Sequence, residues 1–212
     1  MKKVTKVGKH TVMHSDIMKS DIKKLLKGKK VDMMYSDPPW GAGNLRYWQT
    51  INKRQTGDSP NDVNLVLFLH KIFDIATNHV KGVVFMEYGI KWRDDIKALI
   101  KEYKLKDIAT IPLQYKSGSN LLPLDLHVFS KTKQELPQAY IDSVANTHGY
   151  NTLTKVFSLY PDMKGVTILD PCCGMGYTAQ IAVDRGMTFY GNELNSKRLE
   201  QTIKRLERDV TN

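Results

Sequence analysis

Cysteine is scarce in this sequence: only Cys172 and Cys173 occur, and they are adjacent. Two neighbouring thiols cannot build a disulfide framework of the kind that stabilises small secreted domains. They also cannot supply the four ligands of a structural zinc site, so no metal is predicted. The shortage of cysteine favours a reducing compartment, and we expect a cytoplasmic protein.

Long apolar runs are missing as well. The longest run, at 65–69, is far shorter than the roughly 20 apolar residues that cross a bilayer as a helix. The start of the chain carries lysines but no apolar core of signal-peptide length. The sequence therefore predicts a soluble protein that has no membrane partner.

Acidic residues are outnumbered, with 22 Asp and Glu against 32 Lys and Arg and a formal net charge of +10. This excess of positive charge suits a polyanionic partner, most simply nucleic acid. The alternative is solubility alone, because many of the lysines are dispersed along predicted helix faces. The chain has 212 residues, of which 41% are hydrophobic, and this is enough to bury the core of one domain.

Short apolar runs alternate with amphipathic helical patterns along the chain. This alternation predicts an α/β fold with a mostly parallel sheet, right-handed crossovers and one antiparallel strand. Residues 41–60 interrupt it, because they are polar, contain glycines and show no apolar period, which predicts a loop. Asn61 or Asp62 is the predicted cap of the helix that follows.

The predicted loop mixes basic and aromatic side chains, namely Arg46, Tyr47, Trp48 and Arg54. Aromatic rings can stack on bases while guanidinium groups contact phosphates, so these four residues are candidates for nucleic-acid binding. The alternative is a mobile surface loop that binds nothing.

The most informative motif is Asp37-Pro38-Pro39-Trp40, which follows the apolar run at 31–36. Two prolines fix the backbone and carry no N–H, so their carbonyls are free to accept hydrogen bonds from a ligand. An acceptor carboxylate, a fixed carbonyl and an aromatic plate suit a planar ring that carries an exocyclic amine. The alternative is a rigid turn in which Trp40 is only part of the core.

A second motif, Leu169-Asp-Pro-Cys-Cys-Gly-Met-Gly-Tyr-Thr178, lies at a predicted strand-to-helix junction. Its two glycines allow the backbone to approach a ligand closely, and the helix amino terminus favours an anionic group. Glu193 ends the next predicted strand, where an acid can accept hydrogen bonds from both ribose hydroxyls of a nucleoside.

Together the two motifs resemble those of the amino-methyltransferases, which methylate adenine N6 or cytosine N4 in nucleic acid. The hallmark of that family is (D/N/S)PP(Y/F/W), which Asp37–Trp40 matches. Leu-Asp-Pro-x-x-Gly-x-Gly, followed by a Gly-Asn-Glu strand, resembles its S-adenosylmethionine-binding motifs. In the permuted (beta) group of the family the catalytic motif precedes the cofactor motif, as it does here.

The resemblance implies a Rossmann-like methyltransferase fold with seven strands, one of them antiparallel, and helices on both faces of the sheet. It also implies one methyltransferase domain over 1–212, with a catalytic half at 1–135, a cofactor-motif half at 145–212 and no separate target-recognition domain. The seven strands are expected near Thr11, Val31, Val83, Ile108, Asp125, Ile168 and Thr188.

The resemblance further implies S-adenosylmethionine as the cofactor and assigns roles to particular residues. The implied catalytic residues are Asp37, Pro38, Pro39 and Trp40. The implied cofactor-binding residues are Asp16, Asp37, Asp170, Pro171, Cys172, Gly174, Gly176, Thr178 and Glu193. Cys172 follows a proline, as the nucleophile of cytosine-C5 methyltransferases does, but its place in the cofactor loop favours a small apolar lining residue.

The predicted reaction is methyl transfer to adenine N6 in DNA. The amine would hydrogen-bond to the Asp37 carboxylate and the Pro38 carbonyl, which aligns its lone pair, while Trp40 stacks on the extruded base. The alternatives are an N4-cytosine enzyme, an RNA N6-adenine enzyme, and a non-catalytic subunit that has this fold and binds nucleic acid. Target recognition would come from residues 41–60, the 115–122 turn, a homodimer or a partner protein.

Overall fold

The computed structural model describes residues 3–57, 64–160 and 162–210. Its strands are β1 (Lys3–Val7), β2 (His10–His14), β3 (Met33–Ser36), β4 (Val83–Tyr88), β5 (Lys106–Ser117), β6 (Asn120–Ser130), β7 (Thr167–Asp170) and β8 (Thr188–Glu193). Its α-helices are α1 (Ile22–Leu25), α2 (Gly41–Thr56), α3 (Leu65–His79), α4 (Arg93–Glu102), α5 (Gln138–Val144), α6 (Tyr150–Val156), α7 (Tyr177–Asp184) and α8 (Ser196–Glu207). None of the helices within these ranges is long and apolar enough to span a membrane.

All eight described strands form one sheet in the order β1-β2-β8-β7-β3-β4-β6-β5. The five strands from β2 to β4 in this order are mutually parallel, whereas β6 runs antiparallel to both of its neighbours. Strands from the two predicted halves of the chain are thus interleaved, and the predicted α/β fold class is confirmed.

The strand count differs from the expectation of seven strands with one antiparallel. An additional strand, β1, pairs antiparallel with β2, so two strands run against the rest. The turn between them contains Gly8, whose φ of 55° is easily reached only without a side chain. The basic start of the chain therefore folds back onto the sheet edge.

The core lies on both faces of the sheet because successive residues of a strand point to opposite sides. In β4, Val83 and Phe85 join the cluster under α5, α6, α7 and α8, whereas Val84 and Met86 join the cluster under α1, α3 and α4. Burial on both faces is the usual condition of parallel strands.

The prediction of a loop over 41–60 is wrong for the first 16 residues, because 41–56 form helix α2. The helix buries few residues, among them Leu45 and Asn52, which explains why its sequence shows no clear apolar period. Gly57 ends the helix in the left-handed conformation. Residues 58–60 and the predicted caps Asn61 and Asp62 lie outside the described residues; the side chain of Asn64 caps α3.

The turn predicted at 115–122 is shorter than expected. Strands β5 and β6 continue as a ladder up to the pair Ser117 and Asn120, with Gly118 in the turn. Since β5 pairs with β6 beyond the point where β4 ends at Tyr88, the two strands project as a hairpin arm past the carboxyl edge of the parallel strands.

Candidate functional site

The carboxyl ends of the parallel strands bring five acids to one edge of the sheet. Glu193 ends β8, Asp170 ends β7, Asp37 follows β3, and Glu87 lies near the end of β4. Asp16 follows β2 at the same edge. The strand order brings together at this edge four acids that the sequence analysis assigned to the site, namely Asp16, Asp37, Asp170 and Glu193. We call Glu193, Asp170, Asp37 and Glu87 the carboxyl row, because they follow one another on four adjacent strands.

The carboxyl row is electrostatically unusual. Burial, as the largest cause, raises the pKa of Asp37 to about 6, that of Asp170 to about 7 and that of Glu87 to about 8. The negative charge of Asp37 adds to the shift for both Asp170 and Glu87. Asp37 reaches solvent, but the protein around it still limits its hydration. A cationic ligand would stabilise the ionised form of each acid that it contacts.

Trp40 orients the Asp37 carboxylate. The indole Nε1 donates a hydrogen bond to Asp37 Oδ1 at 2.9 Å, and the Trp40 backbone N donates to Asn44 Oδ1 at 3.0 Å. The Trp40 ring meets the Tyr115 ring edge-on, with the centroids 4.7 Å apart. In the same motif, Pro38 is buried and Pro39 is half-buried. The turn is thus rigid, and among the described residues only Oδ1 of Asp37 is engaged.

Glu87, to which sequence reasoning assigned no role, is the neighbour of Asp37 in the row. The Tyr35 hydroxyl donates a hydrogen bond to Glu87 Oε1. Tyr35 itself is only 2% exposed and packs against Phe85 and Phe157. The signal that could have revealed Glu87 is its place near the end of an apolar strand, matching the place of Asp37.

The 170–178 segment forms a tight turn around the Asp170 carboxyl. The backbone N of Cys172 donates to Asp170 Oδ1 at 3.1 Å, and the buried Thr178 hydroxyl bonds the same side chain. Pro171 is buried and Cys172 is half-buried. Asp170, Pro171 and Thr178 therefore build the turn, and Cys172 packs against the core cluster on the α1, α3 and α4 side of the sheet.

The two glycines of this turn serve different purposes. At Gly176, with φ 80°, an added Cβ would lie 2.7 Å from Thr202 Oγ1 of α8, so the absence of a side chain is required by helix packing. At Gly174, with φ 50°, an added Cβ would meet no atom closer than Cys172 O at 4.0 Å. Gly174 thus leaves open space on the outer side of the turn, where a ligand can approach the backbone.

Glu193 holds the turn in place. Its Oε2 accepts a hydrogen bond from the Gly174 backbone N at 2.8 Å, and its Oε1 accepts one from the Asn195 backbone N at 2.8 Å. Burial raises the Glu193 pKa, while these bonds and the charge of Arg198 oppose that shift. Asp16 at the neighbouring strand end caps a short 3-10 helix, accepting from the Met18 backbone N at 3.0 Å.

The predicted nucleic-acid residues lie on helix α2. Tyr47 is 56% exposed, and Arg46 and Arg54 are exposed as well. Trp48 is less accessible, because the Arg198 guanidinium lies over its ring at 4.1 Å and the Tyr47 ring contacts it at 5.0 Å. Three of the four side chains are therefore available to a polymer, whereas Trp48 packs against α8.

Helix α2 is also fastened to the carboxyl edge. The Asn195 side-chain amide donates to Asn52 Oδ1 at 3.0 Å and to Gln55 Oε1 at 2.8 Å. Asn195 follows Glu193, so the helix after the Asp37 motif and the strand end that carries Glu193 share one hydrogen-bond network. Within the described ranges, no group of three or more His, Cys, Asp or Glu side chains is arranged to hold a metal ion.

No family model and no curated protein matches this sequence. Solved structures do match the fold. M1.HpyAVI, also solved as a complex with SAM, superposes with a TM-score of 0.65 at 16% identity, covering 92% of this chain and 97% of that chain. TTHA0409 from Thermus thermophilus, complexed with S-adenosyl-L-methionine, gives 0.63 at 13% identity and covers 93% of both chains.

The PvuII DNA methyltransferase (cytosine-N4-specific) gives a TM-score of 0.58 at 9% identity, covering 97% of this chain and 94% of that chain. At these identities the likeness is one of fold alone. This chain therefore has the α/β fold of M1.HpyAVI, TTHA0409 and the PvuII DNA methyltransferase.

Proposed function

We propose that this protein transfers a methyl group from S-adenosylmethionine to the exocyclic amine of a base in nucleic acid, with adenine N6 in DNA as the lead target. The observation that carries the proposal is the carboxyl row, in which Asp37 of the Asp-Pro-Pro-Trp motif adjoins Asp170 of the glycine turn. Two solved proteins of the same fold, M1.HpyAVI and TTHA0409, form complexes with S-adenosylmethionine.

The residues present fit this cofactor. S-adenosylmethionine carries a sulfonium and an ammonium group, and Asp37, Asp170 and Glu193 of the carboxyl row offer it negative charge. Arg198 acts on Glu193 as the opposing cation. Glu193, Asp16 and the open face of Gly174 would hold the nucleoside and the methionine part. When bound, the cofactor supplies an electrophilic methyl group on its sulfonium.

Asp37 prepares the amine. The lone pair of a base amine is delocalised into the ring, and a hydrogen bond to an oriented carboxylate favours the tetrahedral geometry in which the lone pair is available. Trp40 fixes Oδ1, so the amine binds the remaining oxygen. With the amine held in this way, its lone pair would be free to take up the methyl group that the bound cofactor supplies, the carbon–sulfur bonding electrons staying with the cofactor, and the amine would then release one proton. The Asp37 carboxylate, with a pKa of about 6, would accept that proton.

The test uses Asp37→Asn, which keeps the shape of the side chain but removes its charge. Labelled cofactor is incubated with DNA and RNA oligonucleotides, and the products are digested to nucleosides, which identifies base and polymer together. We expect N6-methyladenine from the wild type and a loss of about 100-fold or more in the variant. Cofactor binding, measured by calorimetry, should weaken but remain detectable, because Asp170 and Glu193 keep their carboxyl groups.

The matched control is Asp94→Asn, since Asp94 is an exposed acid in the first turn of α4. It should leave transfer unchanged. Turnover of Asp37→Asn within about threefold of the wild type would overturn the role of Asp37. A wild-type protein that binds cofactor but methylates neither polymer would overturn the proposed activity and favour the non-catalytic subunit.

Cytosine N4 is the second candidate target, favoured by the fold likeness to a cytosine-N4-specific enzyme. Both amines need the same acceptors, so the nucleoside digest decides between them. RNA in place of DNA is decided by the same digest.

We further propose that the polymer lies across α2 and the β5–β6 hairpin arm, whose tip exposes Leu121 and Leu122. Arg46→Ala and Arg54→Ala should each weaken binding and reduce the slope of log affinity against log salt by about 1. Lys106→Ala, at the opposite end of β5, is the control and should change neither. If the slopes of all three variants are equal, this placement is wrong, and a homodimer or partner protein must supply the contact.

A further inference from the structure

Glu87 occupies a place beside Asp37 that the proposed reaction has not used. In the β3–β4 ladder Ser36 pairs with Met86, so Asp37 and Glu87 are the next residues on two neighbouring strands. Glu87 is half-buried, and the described contacts engage only its Oε1, through the Tyr35 hydroxyl. The second carboxyl oxygen is left for a ligand in the site.

The surroundings of Glu87 favour the neutral carboxylic acid. The charged groups that act on it are Asp37 from the end of β3 and Asp170 from the end of β7, both negative. The hydrogen bond donated by the Tyr35 hydroxyl lowers the Glu87 pKa and opposes them only in part. Burial is the largest cause that raises the Glu87 pKa to about 8, so the group holds its proton at neutral pH. A carboxylic acid, unlike a carboxylate, can donate a hydrogen bond.

We propose that Glu87 acts as a neutral acid that donates a hydrogen bond to the unprotonated ring nitrogen next to the amine bound by Asp37. An acceptor and a donor side by side complement an amine next to a bare ring nitrogen. Adenine presents this pair with N1 or N7, and cytosine presents it with N3. Glu87 is thus a specificity-determining residue, and the inference rests on the proposed function.

The consequence for selectivity is concrete. A base whose ring nitrogen beside the amine carries a proton would place two donors against each other and would leave buried polar groups unpaired. Sites of this kind reject the mismatched ligand strongly, because the unpaired groups have lost their hydration. The pair therefore selects an edge on which a bare ring nitrogen adjoins the amine, while Asp37 alone would accept any amine.

The first experiment compares the pH dependence of kcat/KM in the wild type, Glu87→Gln and Glu87→Ala. Wild-type activity should fall above about pH 8 as Glu87 ionises and loses its donor. Glu87→Gln retains an amide donor that does not titrate, so it should keep activity within about fivefold at neutral pH and lack the alkaline fall. Glu87→Ala should be about tenfold or more below the wild type at neutral pH, and this deficit should shrink above about pH 8, where the wild type loses its donor.

The second experiment replaces single ring nitrogens of the target base by CH, using 1-deaza- and 7-deaza-adenine, or 3-deaza-cytosine if cytosine is the target. One of these analogues should cost the wild type about tenfold or more, and the same analogue should cost Glu87→Ala almost nothing further. An equal loss in both proteins, or an alkaline fall in Glu87→Gln identical to that of the wild type, overturns the assignment.

A readout without turnover separates this inference from the proposed function. The infrared difference spectrum of the wild type minus Glu87→Gln at neutral pH should show a protonated carboxyl band, because the band of Asp170, whose pKa is about 7, is present in both proteins. A wild type without any transfer activity refutes the proposed function. The absence of the carboxyl band refutes the role of Glu87 by itself, whether or not the protein methylates nucleic acid.

Discussion

His127 makes the stability of this protein depend on pH in a way that can be calculated. It lies in β6 with an exposed fraction of 0%, and neither of its ring nitrogens has a hydrogen-bond partner among the described residues. Burial, opposed only in part by the charge of Asp125, lowers the His127 pKa from 6.5 to about 4. Arg93 and Lys97 on α4 also lower it through repulsion.

The sign follows from linkage. Folding favours the neutral ring, so its contribution to stability is complete above the unfolded pKa of about 6.5 and is lost as the pH falls towards 4. At about pH 5 the unfolded ring is almost fully protonated while the folded ring is mostly neutral. With 1.36 kcal/mol for each pKa unit, the free energy of unfolding drops by about 2 kcal/mol between about pH 7 and pH 5.

The assay is urea denaturation of the wild type and of His127→Leu at these two pH values. Because the carboxyl row titrates in both proteins, the difference between them isolates the histidine. The wild type should lose about 2 kcal/mol more than the variant on acidification, and the variant should be at least as stable at neutral pH. His148→Leu, at an exposed position, is the control and should follow the wild type. Parallel profiles of the wild type and His127→Leu would refute the reasoning.

Three further predictions concern the edge of the sheet. Trp40→Phe removes the indole N–H that donates to Asp37, so the Asp37 pKa should rise above about 6. The acid limb of the pH–rate profile should then move to higher pH. An unmoved limb would exclude the Trp40–Asp37 hydrogen bond. In urea denaturation, Gly57→Ala should lower the free energy of unfolding by roughly 1 kcal/mol, and Gly176→Ala should lower it by more. Both glycines have positive φ, but only a side chain at 176 would collide with α8. Equal losses would contradict the packing argument. Asn195→Ala should speed hydrogen exchange in α2 and leave α3 unchanged; protection equal to that of the wild type would show that the network does not hold the helix.

The acid-ended strands could be predicted from the sequence because their signals are local. An apolar run followed by Asp37-Pro-Pro, or by Asp170 and a glycine turn, marks a strand end wherever it occurs. That Asp16, Asp37, Asp170 and Glu193 share one edge was implied by the resemblance to the amino-methyltransferases, whose strand order brings the carboxyl ends of these strands together.

Helix α2 could not be predicted in this way. The helix is held in place by contacts from outside the segment. These are the hydrogen bonds donated by the Asn195 side-chain amide and the Arg198 guanidinium over the Trp48 ring. These partners follow Trp48 by about 150 residues in the chain, so no window of the sequence contains them. A polar segment with a narrow buried strip has too weak an apolar period to indicate a helix by itself.

The sequence alone determined which acids end the strands, in which order the two motifs occur and how the chain alternates between strand and helix, since these are properties of neighbouring residues. Only the tertiary structure decided that Glu87 joins the carboxyl row, that Trp40 binds Asp37 and that Gly176 is required by α8. The tertiary structure also decided the protonation states of the carboxyl row, because the pKa of a carboxyl group depends on the dielectric and the charges that other strands bring to it.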